Sequence, residues 1–124
     1  MRIGNVYRPD VFGCWVDERL PDVARRMAEK DVGALAVLDG NEVVGVITER
    51  DLVRALAESP DVYSARVSEF ATTDVETADV EDDSREVAER MLEAGFRHMP
   101  VTQNGEMVGM VSMRDLLALE TWSG

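Results

Sequence analysis

Displaced by 64 residues against itself, the chain aligns Val23–Leu52 with Val87–Leu116 without a gap. Identities fall at patterned positions: Val23 with Val87, Ala24 with Ala88, Met27 with Met91, Val37 with Val101, Gly45 with Gly109, Arg50 with Arg114 and Asp51 with Asp115. A chain of 124 residues that repeats itself in this way must be read as two like units, 1–60 and 61–124, rather than as one long domain. Each unit is too small to cover its own apolar faces, so the two are expected to pack on one another.

The pattern within each copy is the same. Val11–Val16 reads as a short extended stretch, followed by a helix that Asp17 or Glu18 can cap and that runs to about Lys30, with Leu20, Val23, Ala24 and Met27 on one face. Ala34–Leu38 and Val43–Ile47 are apolar strands around the turn residues Asp39, Gly40 and Asn41, and Thr48 caps a helix through about Ala57 that ends before Pro60. The second copy gives Val75–Val80 extended, Ser84–Ala94 helical, then strands Met99–Thr102 and Met107–Val111 and a final helix capped by Ser112. Strands joined by so short a turn form a hairpin. The preceding segments also correspond, Ile3 with Val67 and Val6 with Phe70, and each is expected to lead in across its own unit, with Ser59–Ala65 as the linker.

Composition narrows the function classes. Hydrophobic residues are 45% and charged residues 31%, the balance of a folded soluble protein. Apolar runs are short and the N-terminus has no secretion-signal pattern, which makes a cytoplasmic location without membrane contact the expectation. Acidic side chains outnumber basic ones 25 to 13, for a net charge of −12, so a broad nucleic-acid-binding face is excluded. A small anion remains acceptable if a few of the twelve arginines converge. Cys14 is the only cysteine, expected as a small semi-buried side chain, and His98 the only histidine, so no metal site is expected.

The runs "GALAVLDGNEVVGVITERDL" and "FRHMPVTQNGEMVGMVSMRDL" carry a strand, a turn, a second strand and a Thr or Ser three residues before an Asp. In this the chain resembles a tandem pair of cystathionine-beta-synthase (CBS) domains, a Bateman module. More weakly, "TTDVETADVEDDS" extends the likeness. The resemblance implies an α/β (α+β) fold of two βαββα units packed sheet to sheet with pseudo-twofold symmetry and clefts between them. It also implies a non-catalytic regulatory role and frequent dimerisation through helices. The ligands it implies are AMP, ADP, ATP or S-adenosylmethionine, with no cofactor required.

The candidate ligand residues follow the motifs. Thr48 and Asp51, like Ser112 and Asp115, sit three apart where a strand meets a helix. A hydroxyl there can cap the helix, free backbone N–H groups can meet a phosphate, and a carboxylate one turn on can accept both ribose hydroxyls. These four residues are equally readable as helix-start residues alone. Arg50 and Arg114 can fork onto phosphate oxygens or pair with surface acids. The copies differ at the first hairpin strand, where Arg97, His98, Met99 and Pro100 stand against Gly33, Ala34, Leu35 and Ala36. By resemblance Arg97 and His98 are phosphate ligands, Met99 and Pro100 lie by the adenine, and Thr77 joins the set.

Gly45 and Gly109 lie inside strands, where close approach by a ligand or by the opposite repeat is the reason to tolerate glycine. Asp79, Glu81, Asp82 and Asp83 read as helix-capping acids or a cation site. Trp15 and Trp122 are candidates for an inter-chain or inter-repeat contact, Trp122 for a homodimer.

The favoured function is a sensor that binds an adenosine-containing ligand and modulates an unidentified protein effector. The alternative is a ligand-free interaction or dimerisation scaffold, consistent with Ala36 in place of Pro100 and with Cys14 and Trp15 in the "GCWVDERL" stretch. An enzyme would need a nucleophile, base and orienting group that the sequence does not supply.

Overall fold

The computed structural model describes residues 1–9, 12–40 and 42–123, with side chains up to Leu119. Two similar units emerge, each with a mixed three-stranded sheet. The first copy runs β1 (Gly13–Trp15), α1 (Leu20–Lys30), β2 (Ala34–Asp39), β3 (Glu42–Thr48) and α2 (Glu49–Glu58). After a short α3 (Val67–Phe70), the second runs β4 (Ala78–Asp79), α4 (Ser84–Ala94), β5 (His98–Gln103), β6 (Glu106–Ser112) and α5 (Met113–Ser123). In each sheet the middle strand pairs parallel with the first and antiparallel with the third. The registers repeat with the sequence: Ala34 opposes Thr48 as His98 opposes Ser112, and both hairpins shift register at the same place, Val37/Leu38 and Val101/Thr102. Asn104 and Gly105 close the second hairpin with φ of 54° and 82°, the doubly left-handed turn that suits strand twist.

The helices bury the faces that their periodicity requires. Leu20, Val23 and Met27 of α1 join Leu35, Val37, Ile47 and Ala55 in one core. Val87 and Met91 of α4 join Met99, Val101, Val111 and Leu116 in the other. Cys14 is fully buried rather than semi-buried, at 2% exposure.

The lead-ins behave differently from expectation. Ile3, at 0% exposure, sits in the core of the second copy, and Val67, also at 0%, in the core of the first. The packing units are therefore Phe12–Val75 and a discontinuous unit of Met1–Val11 with Glu76–Gly124. Within 59–65, Ala65 is buried in the first core and Val62 packs against it, while Pro60, Asp61, Tyr63 and Ser64 are exposed. The cause is visible in the backbone. Arg8 N donates to Met110 O (2.9 Å) and Met110 N to Arg8 O (3.1 Å), while Val46 and Thr72 make the same reciprocal pair at 3.0 Å. Each lead-in thereby satisfies the outer edge of the other repeat's hairpin, where unpaired groups would otherwise face solvent.

This exchange explains the strand glycines. A Cβ on Gly45 would lie 2.6 Å from Thr72 O, and one on Gly109 would overlap Arg8 O and the Tyr7 ring. Of the two reasons for close approach, the chain of the opposite repeat is the one present. The first helix also departs from expectation: α1 begins at Leu20 behind Arg19, which makes no side-chain cap, and Pro21 sits in its first turn. Glu18 is engaged elsewhere, as follows.

Candidate functional site

The residues predicted in the second copy all lie within one packing unit, Met1–Val11 with Glu76–Gly124. Thr77 precedes β4, and Ala78 pairs with Val101, which sets Thr77 beside Pro100. His98, half-buried, opens β5 directly across from Ser112 at the end of β6, and Arg97 stands exposed just before it. Met99 and Pro100 follow and are buried, so what they offer outward is backbone rather than side chain. Arg114 is exposed on the first turn of α5. The hairpin register thus gathers Arg97, His98, Ser112 and Asp115 at one end of the β5/β6 pair.

Ser112 Oγ accepts from Asp115 N at 3.0 Å, which caps α5. Met113 N donates to Arg97 O at 2.8 Å. Two of the N–H groups expected to be open to a phosphate are therefore used within the fold. The Asp115 carboxylate, 17% exposed, receives Arg8 Nη2 at 3.2 Å on Oδ1 and Arg8 Nε at 3.4 Å on Oδ2. Burial opposes ionisation of Asp115, but hydrogen bonds from Arg8 and Ser112 outweigh it and hold the carboxyl below its ordinary range.

Thr48, Arg50 and Asp51 lie in the other unit and are arranged differently. Asp51 N donates to Thr48 Oγ1 (3.3 Å), while Thr48 N (2.9 Å) and Thr48 Oγ1 (3.2 Å) both donate to Asp51 Oδ2, a closed capping box. Arg54 stands 3.6 Å from the remaining oxygen, and Asp51 is 8% exposed. Arg50 is exposed. Both carboxylates meet their own cap residue, and they differ in the arginine that joins it: Arg54 of the same helix lies near Asp51, whereas Arg8, brought from another part of the chain, holds Asp115.

Sequence reasoning missed Arg8 and a second pair of arginines. Arg26 donates to Gly13 O (2.9 Å) and forks onto Glu18 at 3.0 and 2.6 Å, and Glu18 also accepts from Trp15 N at 2.7 Å. Arg90 donates to Thr77 O (2.8 Å) and reaches Met99 Sδ (3.2 Å), with Asp82 at 3.8 Å. Arg26 and Arg90, Gly13 and Thr77, and Glu18 and Asp82 are each 64 residues apart, so the repeat itself carried the signal. Each arginine ties the start of its unit's first strand to the helix that follows. The hydrogen bond from Arg26 holds the Glu18 carboxyl below its ordinary range despite partial burial.

Of the acidic run, Asp83 Oδ2 accepts from Glu86 N and caps α4, and Asp82 accepts from Asp79 N at 2.9 Å. Among the described residues no group of three or more His, Cys, Asp or Glu is arranged to hold a metal ion. Trp15 is exposed, and the Trp122 side chain lies outside the described residues. No helix among the described residues is long and apolar enough to cross a membrane.

Comparison with known proteins agrees with this architecture. The CBS domain family model matches twice, at residues 3–58 and 67–120. An uncharacterized 17.7 kDa protein of Acidianus ambivalens is 40% identical over 117 residues, 93% of this chain and 70% of that protein. Two further curated relatives, uncharacterized proteins of Methanopyrus kandleri and Methanocaldococcus jannaschii, are 30% and 36% identical, and the chain spans 63% and 31% of them. The CBS-domain protein ATU1752 of Agrobacterium tumefaciens superposes with a TM-score of 0.88 at 27% identity, covering 97% and 99% of the two chains. The CBS domain pair of protein MJ0100, solved with 5′-methylthioadenosine and S-adenosylmethionine, shares the fold with a TM-score of 0.91 at 21% identity over 100% and 98%.

Two βαββα-type units in tandem define a Bateman module. The chain belongs to the CBS domain family, whose modules are non-catalytic.

Proposed function

We propose that this CBS pair is a sensor for an adenosine-containing ligand (AMP, ADP, ATP or S-adenosylmethionine) and that occupancy modulates a protein effector. The competent site is the second-copy one, formed from Thr77, Arg97, His98, Met99, Pro100, Ser112, Arg114 and Asp115. What carries the reading is the convergence of Arg97 and His98 with Ser112 and the mostly buried Asp115 at one hairpin end. Asp115 supplies an ionised acceptor for a ribose diol, Arg97 and Arg114 are exposed and able to turn onto phosphate, and β5 backbone is available to the base. The first-copy set, Thr48, Arg50 and Asp51, is the weaker site because Gly33 and Ala34 stand where the second copy has the basic pair Arg97 and His98.

Titration calorimetry of nucleotide-stripped protein with AMP, ATP and S-adenosylmethionine tests this. Saturable binding that Asp115→Ala abolishes and Arg97→Ala weakens is expected. Absence of binding by folded wild type overturns the reading.

The scaffold reading draws on a different observation. Val53 and Leu56, three apart on α2, are 65% and 68% exposed, an apolar pair on one helix face that a second copy of the chain could cover. A homodimer through α2 is compatible with ligand sensing. Light scattering of wild type and Leu56→Asp tests it, a dimer that the substitution splits being the expected result.

A further inference from the structure

Resting on the reading of Asp115 as the ribose acceptor, we propose that Arg8 is a built-in competitor for that carboxylate, so that a ligand engaging Asp115 unfastens the N-terminal lead-in. The guanidinium meets both carboxylate oxygens, at 3.2 and 3.4 Å, and a ribose diol donating one hydroxyl to each oxygen would need the same positions. The two partners differ in freedom. The Arg8 side chain is 74% exposed and reached by water, whereas Asp115, at 17%, is largely enclosed. When Arg8 leaves Asp115, the lead-in keeps its backbone pair with Met110 and the buried Ile3, but loses the contact with the start of α5.

The device is confined to one site. The position equivalent to Arg8 in the other lead-in is Thr72, which has no charge to offer, and the Asp51 carboxylate is held from within its own helix and cap. Ligand entry at the second-copy site therefore has a structural consequence that entry at the first-copy site lacks. It converts occupancy at the second-copy site into a change in the N-terminal lead-in that crosses β6.

Adenosine, a neutral probe, isolates the competition from phosphate attraction. Calorimetry is expected to show Arg8→Gln binding adenosine about three- to fivefold more tightly than wild type, the scale of an ion pair whose arginine is exposed to solvent. Wild-type affinity should rise between low and high salt as the pair is screened, and Arg8→Gln should not respond. Equal or weaker binding by Arg8→Gln overturns the proposal, because Arg8 then assists the ligand or ignores it. Amide exchange in ligand-free Asp115→Asn supplies a second readout. Several-fold faster exchange at Tyr7 and Arg8 is expected, and unchanged exchange overturns the anchor. If adenosine binds neither protein while that exchange is faster, the ligand reading and the competition fall and the anchor alone stands.

Discussion

Replacing Gly109 with alanine adds one methyl group at the point where the N-terminal lead-in crosses β6. That methyl group would overlap Arg8 O and the Tyr7 ring, and because one of these is backbone, no rotamer change relieves it. The lead-in must lift, which breaks the reciprocal Arg8–Met110 hydrogen bonds at 2.9 and 3.1 Å and loosens Val6 and Tyr7 from the core. Two hydrogen bonds at about 0.5–1.5 kcal/mol each, with the lost packing, give a destabilisation of about 2–4 kcal/mol. For a two-state chain of 124 residues the melting temperature should fall by roughly 8–16 °C, read by calorimetry or far-ultraviolet circular dichroism without any ligand. Gly45→Ala should behave alike, since its Cβ would meet Thr72 O at 2.6 Å. Gly33→Ala is the control: there the nearest atom, at 3.3 Å, is the flexible end of Glu49, and the change should lie within about 1 kcal/mol. A Gly109→Ala protein that melts with wild type but has lost ligand response would refute the reasoning and return the glycine to the ligand.

Other outcomes follow from the same contacts. Ile3→Ala should cost about 2–5 kcal/mol, the usual range for emptying a buried site, and its NMR perturbations should fall mainly within 76–124 rather than 12–75. Burial, reinforced by the Glu18 carboxylate, pushes the Cys14 thiol up to about 12, so native protein should resist thiol reagents near pH 8 and react only after denaturation. Glu18 has its carboxyl lowered by the hydrogen bond from Arg26, so that contribution to stability is fully present above the unfolded value near 4.3 and is lost as pH falls through the folded value. Arg26→Met should therefore flatten the acid side of the stability profile as well as lower stability, by about 1–3 kcal/mol, and an unaltered profile would contradict the Glu18 assignment.

Much of the fold was legible because it rests on local signals written twice. Apolar spacing marked α1 and α4, turn residues marked both hairpins, and Thr48 and Ser112 marked the helices that follow. The exchange of lead-ins was not legible, since Ile3 and Val67 correspond in the alignment whichever core they enter. Their choice depends on which hairpin edge the backbone reaches, a long-range property. The partner of Asp115 was hidden for the same reason: Arg8 is 107 residues away in sequence, and Thr72 at the equivalent position gives no hint of an ion pair. Arg26 and Arg90 could have been found, because the repeat aligns them with each other and aligns their acceptors too.

The central claim, that an adenosine-containing ligand is sensed at the second-copy site, is tested most directly by titrating AMP into isotope-labelled protein and following backbone amide shifts. The account predicts saturable changes concentrated at Thr77, Arg97–Met99, Ser112–Asp115 and Arg8, with little at Thr48–Asp51. Changes centred on Thr48–Asp51, or none at all in protein whose spectrum shows it folded, would contradict it.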